Sequence, residues 1–227
     1  MPTFLFLAAI CLLVAASILL ETDASPPPKT NTKLEKGASS AGNAESTPGL
    51  TPQNQWDPDA RHKDLTLIDS KQLFVQSTGE KSGHRSVRAE RPIPKSGIFY
   101  YEVTILEKKG GIFIGLGTKE TPFDKEPVGQ SVGTYAYGGS GTFWGHAIVV
   151  RGKPKFEEGN VIGCGVYWTT GQIIYTKNKQ LLDTADLRVD SAADLYPCVS
   201  MFNSGNRIEA NFGTKPFEFD IATAFRN

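Results

Sequence analysis

Ile98-Phe-Tyr-Tyr-Glu-Val-Thr-Ile-Leu106, followed four residues later by Gly111-Ile-Phe-Ile-Gly-Leu-Gly117, is the stretch that decides the fold. Both segments are short, rich in β-branched and aromatic residues, and set off by turn-forming residues, as strands of antiparallel sheets are. The same character returns at Val161-Ile-Gly-Cys-Gly-Val-Tyr167, Ile173-Ile-Tyr-Thr176, Tyr196-Pro-Cys-Val-Ser-Met201 and Ile208-Glu-Ala-Asn-Phe212. Ser86-Val-Arg-Ala-Glu-Arg-Pro-Ile93 alternates polar and apolar residues, which predicts a strand with one wet face. Residues 220–225 read as a helical turn, and 185–193 fit either state. Strands do not alternate with helices, so a parallel sheet is excluded. Each strand face needs a covering layer, and the economical solution is an all-β, two-sheet antiparallel β-sandwich.

Outside that body the chain changes character twice. Residues 4–20, FLFLAAICLLVAASILL, are an almost unbroken apolar run. Thr22 and Ala24 supply small residues at the minus-three and minus-one positions of a signal-peptidase site, with Ser25 as the first mature residue. A membrane anchor is the rival reading. The run is slightly short of the roughly 20 apolar residues a span needs, and it lacks basic flanks. A cleaved leader over 1–24 and a secreted chain are therefore expected. Residues 25–55 are Pro, Ser, Thr, Asn, Gly and Lys with almost no large apolar side chains, too little to offset ordering entropy, and read as a disordered linker. The folded domain is then 56–227.

Charge and motif content exclude several function classes. The 227-residue chain has 24 basic and 24 acidic side chains; removal of the leader takes Glu21 and Asp23 and leaves 24 against 22. Nothing in that balance favours nucleic acid or a membrane surface. His62, His84 and His146 are far apart, without Cys or carboxylate partners at ligand spacing, so no metal is expected. Gly115-Leu-Gly117 is like the start of a dinucleotide loop, but no helix follows and the third glycine is missing. There is no Gly-x-Ser-x-Gly elbow, and Gly138-Gly-Ser-Gly141 reads as a flexible turn. No catalytic residue and no cofactor are assigned.

Glycines at 115, 117, 163 and 165 interrupt core strands, where either a Cβ would collide with a facing layer or a bulge needs positive φ. Asn178-Lys179 stands where a two-residue hairpin turn is expected. Lys179 does not suit a type I′ turn, which asks for positive φ at both positions.

The segment from 56 to 221, about three quarters of the chain, resembles the SPRY domain in the form found in Ran-binding protein M. The resemblance is carried by Ser86-Val-Arg-Ala, Pro92-Ile-Pro, Gly97-Ile-Phe-Tyr-Tyr-Glu-Val, Gly115-Leu-Gly, Tyr135-Ala-Tyr-Gly-Gly and Glu158-Gly-Asn-Val-Ile-Gly-Cys. It continues through Tyr175-Thr-Lys-Asn, Leu195-Tyr-Pro, Asn211-Phe-Gly and Pro216-Phe-Glu-Phe-Asp-Ile. It implies a concanavalin-like jelly roll whose variable loops, beside one sheet, grip a peptide or a protein surface. A leader, a polar linker and a SPRY domain together resemble the secreted SPRY effectors of plant-parasitic cyst nematodes.

Carried over by position, the partner-binding candidates are Gly79, Glu80, Lys81, Ser82 and His84 in a first loop, and Thr118, Val128 and Gln130 in a second. Tyr135, Tyr137 and Trp144 follow, then Met201, Phe202 and Asn203 before the last strand. Aromatic and Met side chains bring large contact area at low entropic cost. For Tyr135 a core position is the stronger alternative reading. The Arg and Pro that peptide-binding SPRY adaptors carry in the first loop are not matched here.

The leader would remove Cys11 and leave Cys164 and Cys198 in predicted core strands. They read as two buried thiols, or alternatively as one disulfide. Intracellular SPRY domains also place Cys at the position of Cys164, which favours thiols. No Asn-x-Ser/Thr sequon follows the leader. The expectation is a monomer, secreted but working in the cytoplasm or nucleus of a host cell. Its partner would be a host protein or peptide, such as an immune receptor or a ubiquitin-pathway component, and the outcome a change in plant immune recognition. A ubiquitin-ligase substrate adaptor is the alternative, although that role normally needs a RING or SOCS-box module.

Overall fold

The computed structural model describes residues 53–145, 148–190 and 192–226. The apolar N-terminal run, the cleavage site at Ala24 and Ser25, the polar stretch through residue 52, and His146 lie outside the described residues. The strands are β1 (Trp56–Arg61), β2 (Leu65–Leu67), β3 (Phe74–Ser77), β4 (His84–Ala89), β5 (Ile98–Glu107), β6 (Ile112–Gly117) and β7 (Tyr135–Gly138). They continue with β8 (Thr142–Gly145), β9 (Ile148–Val150), β10 (Val161–Tyr167), β11 (Gln172–Lys177), β12 (Gln180–Leu181), β13 (Tyr196–Phe202) and β14 (Arg207–Asn211). One helical turn, α1 (Ile221–Ala224), closes the described chain.

Two seven-stranded antiparallel sheets result: a front sheet ordered β1-β4-β13-β6-β7-β8-β9 and a back sheet ordered β12-β11-β10-β5-β14-β3-β2. This is the expected all-β sandwich. Period-two alternation sends Val87, Ile112, Ile114, Leu116, Val199 and Met201 inward from the front sheet. They meet Tyr101, Val103, Ile105, Ile162, Cys164 and Ile208 from the back sheet. Trp56 packs edge-on against Phe212 at 5.2 Å, and Phe212 stacks on Tyr101 at 5.5 Å. The Tyr101 hydroxyl crosses the layer and donates to the Gly115 carbonyl at 2.7 Å, so the one polar end of that ring is paired.

The outer face of the back sheet is closed by the chain's own tail. Glu102, 3% exposed, accepts from the backbone N–H groups of Glu218 (2.9 Å) and Phe219 (3.0 Å) and from the Tyr100 hydroxyl (3.1 Å). Phe217 packs edge-on against Tyr100 at 5.0 Å, and Phe225 lies tilted on Tyr167 at 5.4 Å. Asp220 caps α1, accepting from Thr223 N at 3.0 Å, as an N-cap carboxylate does.

Four local expectations are refined. Gly115 and Gly163 do not have positive φ; they are glycines because of crowding. A Cβ at Gly115 would collide with the Tyr135 carbonyl, and one at Gly163 with the Tyr100 hydroxyl and Thr176 Oγ1. In the β11–β12 turn only Asn178 has positive φ (+55°), so the turn is not type I′ and Lys179 sits unstrained. Residues 185–193 contain no helix among those described, only a bridge between Arg188 and Gln172. β4 ends at Ala89, and its outward side is wet only in part: Ser86, between the half-buried His84 and Arg88, is fully buried and shares a hydrogen bond with Ser200 Oγ at 2.7 Å. Packing also begins two residues before Trp56, since Asn54 is buried and donates to the Arg91 carbonyl at 2.9 Å.

Candidate functional site

What buries Ser86 is the long connection 118–134 between β6 and β7, which lies on the outer face of the front sheet. It reaches β4, where Ser86 N donates to the Phe123 carbonyl at 2.9 Å, and returns across β13, where Val128 N donates to Ser200 Oγ at 2.8 Å. Val128, fully buried, plugs a small cluster with Ala136 and Cys198, and Phe113 packs against it. Gly129 follows at φ +96°; a Cβ there would be 2.8 Å from the Cβ atoms of both Ala136 and Trp144. Only glycine allows the loop to lie this close to β7 and β8 at that backbone angle. Thr134 Oγ1, accepting from Gly129 N at 2.8 Å and donating to the Ser131 carbonyl at 2.6 Å, ties off the return.

Beside this loop an aromatic row remains half-buried on the same face. Trp144 on β8 and Phe113 on β6 converge over Gly138 of β7, where a Cβ would lie 3.5 Å from Trp144 Nε1 and 3.2 Å from the Phe113 ring. Phe113 meets the His84 ring edge-on at 5.8 Å, and His84 lies tilted on Phe202 at 4.8 Å. The row therefore crosses the sheet through side chains from β8, β6, β4 and β13. Trp144 Nε1 and His84 Nδ1 are covered and have no hydrogen-bond partner among the described residues. Desolvation lowers the His84 pKa, so the imidazole is neutral near pH 7 and the row has no charge of its own. At one end, Trp144 joins the exposed Ile148 and Val149 and the rim residues Glu126 and Gln130 around a 340 Å³ depression. At the other, next to Phe113 and Phe202, a 370 Å³ groove has Gly110, Gly111 and Gly139 in its wall.

The structure sorts the residues singled out from sequence. Trp144, His84 and Phe202 belong to the row. Ser82 and Asn203 meet at its edge, as Ser82 Oγ donates to Asn203 Oδ1 at 2.8 Å and Asn203 N to the Gly83 carbonyl at 3.1 Å; Gly79 instead lies against the Asp64 side chain, the Lys81 carbonyl accepts from Arg85, and Glu80 is exposed between them. Gln130 borders the depression beside Trp144. Tyr135, Tyr137 and Met201 are corrected to core: each faces the opposite sheet and is 1% exposed or less. The Tyr137 hydroxyl donates to the Pro154 carbonyl, and burial pushes it up to about 12. Val128 is the buried plug described above. Thr118 sits at the far end of β6 from Phe113, where its N–H donates to Thr121 Oγ1 at 2.8 Å. Phe113 was missed by sequence reasoning although a signal exists. Ile112, Ile114 and Leu116 share one face of β6, so Phe113 stands on the other among Gly115 and Gly117.

No group of three or more His, Cys, Asp or Glu side chains among the described residues is placed to hold a metal ion. No described helix is long and apolar enough to cross a membrane. Gly115 and Gly117 lie within β6 rather than in a phosphate loop. Cys164 and Cys198 are free and buried. Cys164 faces the inter-sheet core, whereas Cys198 faces outward beneath Val128, so about 10 Å of sheet separation stands between their backbones. Burial raises both thiols, Cys198 to about 12.

The family model of the SPRY domain matches residues 98–215. Ran-binding protein 10 of Danio rerio is 35% identical over 177 residues, covering 73% of this chain and 28% of that protein. Ran-binding protein 9 of Xenopus laevis is 34% identical over 200 residues, 84% and 35% of the two chains. The Drosophila melanogaster Ran-binding proteins 9/10 homolog is 33% identical over 179 residues, 73% and 18%. The chain thus spans about a third or less of the length of these relatives. Among solved structures, a human SPRY domain superposes with a TM-score of 0.57 at 23% identity, over 68% of this chain and 98% of that one. The SPRY domain of human HERC1 gives 0.54 at 19%, over 71% and 99%.

Proposed function

Because the chain belongs to the SPRY domain family, we propose that it works by binding a protein partner through the aromatic row Trp144–Phe113–His84–Phe202 and its rim. The observation that carries this is the row itself. Large side chains stand half-buried and contiguous on a rigid sheet, with covered ring nitrogens that no described group satisfies. Such arrangements concentrate binding energy in a few aromatic anchors. The family is generally one of protein-interaction modules, and no described cluster suggests chemistry on a bound substrate.

The finer reading is a secreted effector acting on a host protein. Its support is the apolar run 4–20 with small residues at 22 and 24, the polar stretch 25–55, the absence of sequons after the leader and two unpaired thiols in the domain. On this reading the leader provides export, and the domain works in the reducing cytoplasm or nucleus of a recipient plant cell, where it alters immune recognition or signalling. Co-precipitation from recipient-cell cytosol tests it. Wild-type protein is expected to retain a specific partner that Trp144→Ala combined with Phe202→Ala loses, with a thermal melt showing that the variant is folded. Retention of every partner by the folded double variant would refute the choice of surface.

A further inference from the structure

We infer that the partner segment docked on the aromatic row is extended and acidic, with its carboxylates entering the lysine-lined groove at the Phe113–Phe202 end. The inference rests on the reading of the row as the docking surface and adds the chemistry of what docks. Row and groove are continuous. Gly111, in the groove wall, adjoins the row: a Cβ there would lie 3.3 Å from the Phe113 ring and 3.4 Å from Phe202 Cβ. A segment lying along the row therefore runs into the groove.

The groove has three cations, Lys108, Lys109 and Lys155, against one lining carboxylate, Glu157. Its occupancy by carboxylates is already visible. Glu157 reaches Lys108 Nζ at 2.9 Å, and Glu158, just outside, reaches Lys109 Nζ at 3.4 Å. Lys108 is the anchoring charge: its side chain is 18% exposed, whereas that of Glu157 is 68% exposed and free to be displaced by a partner carboxylate. Lys155 makes no ion pair among the described residues, which leaves an uncompensated positive charge at the groove wall. An acidic segment pairs Lys155 and replaces the exposed Glu157 at Lys108; a neutral or basic one would cover Lys155 unpaired.

The test is selection of a phage-displayed library of random dodecapeptides on the full-length protein. Enriched sequences are expected to pair an aromatic or aliphatic residue with neighbouring Asp or Glu. The synthesised winner should bind about fivefold or more weakly to the Lys108→Gln/Lys155→Gln variant, and more weakly as salt rises. Lys155→Gln alone, on an exposed residue that no described packing needs, should weaken binding in the same direction. Neutral or basic winners, or lysine variants that bind within about twofold of wild type, would overturn the inference. Trp144→Ala separates the two claims. Winners lost on Trp144→Ala but lacking acidic residues would remove only the groove, whereas winners indifferent to Trp144→Ala, or no enrichment at all, would remove the row as well.

Discussion

Replacing Gly129 by Ala forces the surface loop off the sheet, and its cost can be worked from the structure. Two terms contribute. Holding a non-glycine residue at φ +96° costs about 1–2 kcal/mol. The added methyl would sit 2.8 Å from the Cβ atoms of Ala136 and Trp144, about 1 Å inside ordinary carbon contact on two sides, an overpacking term of about 1–3 kcal/mol. A small gain from restricting the unfolded chain, about 0.4–1 kcal/mol, offsets part of this. The net is roughly 1–5 kcal/mol, a sizeable share of the 5–15 kcal/mol that ordinary domains possess. Gly152→Ala is the matched control: φ is +79° there, yet a Cβ would meet nothing within 4 Å. Urea unfolding followed by circular dichroism should show Gly129→Ala destabilised by at least about 1 kcal/mol more than Gly152→Ala, at equal m-value. Equal costs at the two positions would mean that the loop does not lie against β7 and β8, and the description of the binding face would fall with it.

Three further outcomes follow from other parts of the molecule. Gly163→Ala should prevent Tyr100 from packing across β10 and destabilise by about 2 kcal/mol or more, read from the same urea transitions. Burial raises the Glu102 carboxyl above its ordinary value near 4.5, against the lowering effect of the Phe219 and Glu218 N–H groups. A raised folded-state value means that this group's contribution is full below about pH 4.5 and is lost as pH rises through the raised value. The stability margin of wild type over Glu102→Gln should therefore be largest in acid and shrink toward neutrality; a margin that grows with pH would contradict the assignment. Cys164 and Cys198 should be silent to a thiol reagent at pH 8 in the native protein and both react on unfolding, because a thiol near 12 is about one ten-thousandth ionised there and both are covered. Rapid native reaction of either would show that the cover over it opens.

The fold was legible where strands are long and apolar. Val161–Tyr167 was read to the residue, and Ile98–Glu107 and Tyr196–Phe202 to within one, because their β-branched and aromatic content leaves no competing period. Tyr135–Gly138 and Thr142–Gly145 are only four residues long and each ends in glycine, and Trp56–Arg61 contains Pro58, so none of the three announces itself by pattern. The site was half legible. Trp144 and Phe202 stand out as large aromatics beside loop glycines and asparagines. Tyr135, Tyr137 and Met201 are also candidates by position until register assigns them inward, since a one-residue shift sends a strand's side chains to the opposite face. Ser86 shows the converse limit. Its alternating strand promised a wet face, but a loop 32 or more residues later in the chain covers it, and only tertiary structure reveals that cover.

The most direct test of the central claim is the affinity, by isothermal titration, of a captured partner or selected peptide for wild-type protein and for Trp144→Ala. Loss of one buried aromatic anchor should weaken binding about tenfold or more with the melting temperature held. Affinity within about twofold of wild type, in a folded Trp144→Ala protein, would show that the partner binds elsewhere.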